Sequence, residues 1–74
     1  MKATSKKVNK KNYEVHQFIS GYFGIIEKKT QDCVYGGDSA CEDHYDEELM
    51  NTIFNNWDGS LEFDSNYGWQ ITNI

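Results

Sequence analysis

The sequence predicts an α+β fold in which two helices pack on a small antiparallel sheet that ends in a C-terminal β-hairpin. Three observations carry it: an apolar stripe of helical period from Asn12 to Lys29, a second capped stretch running to Trp57, and alternating apolar residues after Gly59. The eleven aromatic residues of this 74-residue chain supply the bulk of a core, since aromatic rings bury the most area per residue. A chain this short buries only about 60% of its unfolded surface, which sets one small domain.

The first element is a lysine-rich arm. Residues 1–11 contain Lys2, Lys6, Lys7, Lys10 and Lys11 without apolar periodicity, and they read as flexible. Residues 12–74 then form a single compact acidic domain. On a helical wheel Val15, Phe18, Ile19, Tyr22, Phe23, Ile25 and Ile26 share one arc, while Glu14, Gln17, Ser20, Gly21, Gly24 and Lys28 take the other. Asn12 stands at the N-cap position, and Lys28 and Lys29 suit the last turn. A strand there leaves large apolar groups on both faces. Gly21 and Gly24 sit badly in the helix, each costing about 1 kcal/mol against Ala. Either the helix tolerates weak spots or breaks near Gly24, or a partner or second copy approaches its backbone closely. A homodimer is compatible with the second account.

Thr30 to Tyr35 has the β propensity of a short strand, ended by Gly36 and Gly37. The second helix has two candidate starts. Ser39 with Glu42 makes a capping box, and Asp43 with Asp46 offers a later cap. Leu49, Ile53 and Trp57 form its core-facing row. Asp58-Gly59 ends it, and Leu61 and Phe63 alternate with Glu62 as Trp69 and Ile71 do with Gln70 and Thr72. Asp64-Ser65-Asn66-Tyr67-Gly68 is turn material between the two strands.

Charge is the most informative functional feature. Thr30 to Ile74 holds ten carboxylates and no Lys or Arg, and all seven lysines of the chain precede it. Helix-dipole compensation accounts for acids at a helix start. It does not account for Asp58, Glu62 and Asp64, because an ordinary surface mixes both signs. Such a surface repels nucleic acid and anionic membranes and attracts basic partners. The expected partner-binding residues are therefore Asp38, Glu42, Asp43, Asp46, Glu47, Glu48, Asp58, Glu62 and Asp64. Their partner is a protein with a basic surface, in the first instance a nucleic-acid-binding complex. Direct nucleic-acid binding and membrane association are not expected, although five lysines in the arm are able to contact phosphates. The bland alternative for the arm is a solubilising tail that folds back on the acidic half.

The chain has no Gly-rich phosphate loop, nucleophile elbow or two-His zinc motif, and it lacks Arg for bidentate anion clamping. It reads as a binder, not an enzyme, without a cofactor. Cys33, Cys41 and His44 are conceivable zinc ligands, but no Cys-x-x-Cys pair accompanies them. The reading is no metal, with a small metal-stabilised module as an alternative. The Met-Lys-Ala-Thr-Ser-Lys-Lys start is followed by no apolar segment, and no stretch reaches the length of a membrane span. A cytoplasmic setting in a bacterial cell with free thiols is expected; a Cys33–Cys41 bridge needs an oxidising compartment.

In size, acidity and lack of a catalytic motif the chain resembles the loose class of phage anti-defence inhibitors, including anti-CRISPR and anti-restriction proteins. The likeness is one of general character and transfers no residue. It implies a small inhibitor that occupies a basic nucleic-acid-binding surface, as a DNA mimic in the strictest form. The alternative is an immunity protein or antitoxin that neutralises a basic, nuclease-like toxin.

Overall fold

The computed structural model describes residues 4–37 and 46–72. Over these residues it is α+β with one α-helix and two three-stranded antiparallel sheets. The elements run β1 (Ser5–Lys7), a 3-10 turn (Lys10–Asn12), β2 (Tyr13–Gln17), β3 (Phe23–Glu27), β4 (Cys33–Gly36), α1 (Glu47–Asn56), β5 (Ser60–Asp64) and β6 (Gly68–Gln70). One sheet has the order β2-β3-β4 and the other β1-β5-β6. They meet where the Ile71 N–H donates to the Val34 carbonyl at 2.8 Å and the Gln70 Nε2 donates to the Cys33 carbonyl at 3.1 Å.

The expected first helix is a β-hairpin. Tyr13 pairs with Glu27, Val15 with Ile25 and Gln17 with Phe23. The loop closes through the Phe18 N–H on the Tyr22 carbonyl and the Gly21 N–H on the Phe18 carbonyl. The two glycines that were costly in a helix explain the outcome. Gly21 turns the chain with φ of 98°, a conformation that L side chains rarely adopt. Gly24 lies so close to β4 that a Cβ there would stand 2.8 Å from both the Gly37 nitrogen and the Tyr35 carbonyl oxygen.

The objection to a strand was apolar residues on both faces. It fails because β3 is the central strand of its sheet and both faces are covered. Ile25 is fully buried in the main cluster, whereas its neighbour Ile26 is buried outside that cluster, at 1% exposure. Ile26 pairs with Cys33, and it shares the lining of a surface hollow with His16 and Phe18, whose rings meet edge to face at 5.0 Å. Ile19, placed on the apolar stripe of the expected helix, is instead fully exposed at the turn.

Residues 5–12, read as the end of a flexible arm and a helix cap, are also ordered into structure. Ser5, Lys6 and Lys7 pair with Glu62, Leu61 and Ser60, and the Val8 N–H donates to the Gly59 carbonyl at 2.8 Å. Asn9, not Asn12, is the cap of the 3-10 turn that follows. Ser5, Lys6 and Lys7 are all exposed, so no alternation marks this strand in the sequence.

The expected short strand appears as β4, and the second expected helix as α1. Its candidate starts Ser39 and Asp43 lie outside the described residues; the helix itself begins after Asp46. Ile53 and Phe54 pack against the cluster of Tyr13, Ile25, Val34, Trp57, Leu61 and Ile71. Trp57 is 2% exposed, meets Tyr13 edge to face at 5.3 Å, and donates its indole N–H to the Ser60 carbonyl at 2.7 Å. The expected C-terminal hairpin is formed by β5 and β6, with Phe63 opposite Trp69 and Asp64 opposite Gly68. No helix among the described residues is long and apolar enough to cross a membrane.

Candidate protein-binding site

Of the nine acids expected to meet a partner, Asp38, Glu42 and Asp43 lie outside the described residues. The other six are exposed, and most carry a local task as well. Asp46 is the N-cap of α1: its Oδ1 accepts from the Leu49 N–H at 2.7 Å. Glu47 and Glu48 follow in the first turn, where the helix dipole favours negative charge. Asp58 Oδ1 accepts from the Ser60 N–H at 3.0 Å, and Asp64 Oδ1 accepts from the Asn66 and Tyr67 N–H groups at 2.7 and 3.1 Å. These are Asx turns, which explain why Asp stands at each bend. Glu62 accepts from the Thr72 hydroxyl at 2.8 Å.

The basic segment lies against this acidic half. Among the described residues the single ion pair is Lys7 with Asp58 at 4.0 Å, both side chains largely exposed. Hydrogen bonds from the Ser60 side chain and backbone hold the Asp58 carboxyl below its ordinary value of 3.8, with Lys7 adding a smaller push in the same direction. Lys10 lies over the Phe54 ring at 4.9 Å and Lys6 over the Trp69 ring at 4.3 Å. An exposed pair at this distance contributes little, about 0–1 kcal/mol, so the N-terminal lysines offset the acids only in part.

The structure also brings together acids that the partner-binding set omitted. β3 and β4 form a hairpin in which the Glu27 N–H donates to the Asp32 carbonyl at 2.9 Å. Their side chains line a cleft of about 370 Å3 shared with Lys6, Tyr13, Cys33, Val34, Tyr67, Gly68 and Trp69. Burial raises the Tyr13 phenol above its ordinary 10.0, and the charges of Glu27 and then Asp32 raise it further. The negative field of the hairpin end thus reaches the aromatic side of the cleft. A helix reading of residues 12–29 conceals this, since it puts Glu27 in a last turn remote from Asp32. The glycines were the signal that would have revealed it.

Of the conceivable zinc ligands, Cys41 and His44 lie outside the described residues. Burial raises the Cys33 thiol above 9.0, against weaker lowering by backbone hydrogen bonds, and its Sγ–H is within reach of the Tyr35 and Gly36 carbonyls at 3.2 and 3.6 Å. No group of three or more His, Cys, Asp or Glu among the described residues is arranged to hold a metal ion. No family model, no curated protein and no solved structure matches the chain.

Proposed function

We propose that this chain is a small acidic protein-binding inhibitor that covers the basic nucleic-acid-binding surface of a host complex, as anti-defence proteins of phages and mobile elements do. One observation carries the reading. The described residues include nine carboxylates and a single ion pair, so most of these carboxylates have no ion-pair partner among the described residues. Exposed carboxylates at the start of α1 and along β5 steer a cationic surface into contact and repel nucleic acid that competes for it. Binding, on this reading, is the whole activity; no bond is made or broken.

The experiment is capture of partners from cells that carry the protein, at low salt and again at about 0.5 M, where the screening length is only a few Å. A nucleic-acid-binding partner retained at low salt and released at high salt is expected. Adding the chain to that partner's nucleic-acid complex then abolishes its gel shift. Glu47→Gln/Glu48→Gln keeps the helix and removes two charges, so it weakens capture at low salt. Retention unchanged by salt and by these substitutions overturns the electrostatic reading. A captured nuclease toxin encoded beside the chain would make it an immunity protein instead.

A further inference from the structure

The cleft between the β3–β4 turn and β6 has a makeup that the general acidity does not explain. Tyr67 and Trp69 line it on the β6 side, and Tyr13 lies beside Glu27, its partner across β2 and β3. Glu27 and Asp32 supply the acidic part of the lining, and neither carboxylate has an ion-pair partner among the described residues. Glu27 Oε1 is fixed by the Thr30 hydroxyl at 2.9 Å, so one wall is held in place. The aromatic side is fixed too, because the Gln70 amide bonds the Cys33, Tyr67 and Trp69 carbonyls at 3.1, 3.2 and 2.9 Å and ties β6 to β4. Trp69 is further braced edge to face by Phe63 at 5.4 Å.

An aromatic face with carboxylates nearby is chemistry for a cation, attracted by the ring quadrupole and by the negative field together. The chain itself supplies the demonstration. Lys6 leaves β1 on the same side as Leu61 and holds its ammonium 4.3 Å from the Trp69 ring centroid, within this cleft. Glu27 also borders a second hollow with Asn12, Lys28 and Lys29, yet neither lysine forms an ion pair with it.

We propose that this cleft receives a lysine side chain of the partner protein, its ammonium over Trp69 between Glu27 and Asp32, and that Lys6 holds the place in the free chain. The inference rests on the proposed binding function and names where one cation of the basic partner is seated. Lys6 is then an internal competitor: an exposed lysine is easily displaced, because an exposed cation–π contact is weak.

The test is a titration of the labelled full chain with n-butylammonium, followed by amide and indole proton–nitrogen shifts. Trp69 reports the cleft, and Trp57, buried and bonded to Ser60, serves as the internal control. A saturable shift at the Trp69 indole and the Gly68 amide is expected, with Trp57 unmoved and 1-butanol, of equal size but neutral, producing little. Glu27→Gln/Asp32→Asn should weaken binding about fivefold, and Lys6→Gln should strengthen it about two- to fivefold. Equal response to 1-butanol overturns the proposal, as does equal weakening by Glu47→Gln/Glu48→Gln, which reports diffuse charge. Weaker binding in Lys6→Gln overturns it as well, since Lys6 would then build the cleft and not compete for it. The two readings fail separately: a silent cleft beside salt-sensitive capture leaves the acidic inhibitor standing without this subsite.

Discussion

Replacing Gly24 with Ala decides between a helix and a hairpin over residues 12–29, because the two folds demand opposite signs. In a helix, Gly→Ala in the interior stabilises by about 1 kcal/mol. In the hairpin the new Cβ stands 2.8 Å from the Tyr35 carbonyl oxygen and the Gly37 nitrogen, and 2.9 Å from the Gly37 Cα. All three are backbone atoms of β4 or of the residue that follows it, so no side chain is able to swing away and the backbones must separate. Forcing a methyl group into a closed site costs about 1–3 kcal/mol. For a domain this small each kcal/mol moves the midpoint by about 4–8 °C, so a fall of about 10 °C is expected where a helix requires a rise. Gly21→Ala is the milder companion. No atom lies within 4 Å of its Cβ, but φ of 98° makes Ala strained there by about 1–2 kcal/mol. Thermal melts followed by circular dichroism, with urea titrations followed by the fluorescence of buried Trp57, give both numbers. Two variants more stable than the parent refute the hairpin.

Two further outcomes follow from the turns and the buried acids. Asp46→Ala removes the acceptor for the Leu49 N–H and lowers stability by about 1 kcal/mol, while Asp46→Asn, which keeps an oxygen there, loses only a few tenths in the same urea titration. Cys33 and Tyr13 both bind their protons more tightly folded than unfolded, so their contribution to stability is level below about pH 9 and falls as pH rises above 9.0 and then 10.0. Melting temperatures of Cys33→Ala taken across that range should show the onset of the fall moved toward 10.0.

The parts legible in the sequence are those whose signals are local. The C-terminal hairpin announces itself through Leu61 and Phe63, Trp69 and Ile71, and the turn residues between them. The helix before Trp57 is legible from Ile53 and Trp57, but the expected row is corrected at its start: Leu49 is exposed and Met50 is buried in its place, and the cap is Asp46 where Ser39 and Asp43 were the candidates. Residues 12–29 failed because Val15, Ile25 and Ile26 fit two periods at once. Only the long-range pairing with β4 decides between them, and it leaves no mark except glycine. The same failure hid part of the candidate site: Glu27 and Asp32 become neighbours only once β3 and β4 are strands.

The acids that stand out in the sequence also bear on stability, and this changes how their excess is read. Asp46, Asp58 and Asp64 each cap a helix or close a turn by accepting backbone N–H groups. A neutral Asn or Ser meets the same geometric need. Capping therefore explains why a short oxygen-bearing side chain stands at those bends, but not why it is ionised at all three. The full charge costs self-repulsion, offset in part by the α1 dipole at Asp46 and by the Ser60 hydrogen bonds at Asp58. Glu27 and Asp32 sharpen the point, since their charges help to raise the Tyr13 phenol in a cleft where, among the described residues, Lys6 is the one lysine in the lining. On the proposed reading, the acids beyond those that caps and turns use meet a cation of the partner, at the cleft beside Trp69 and at the first turn of α1.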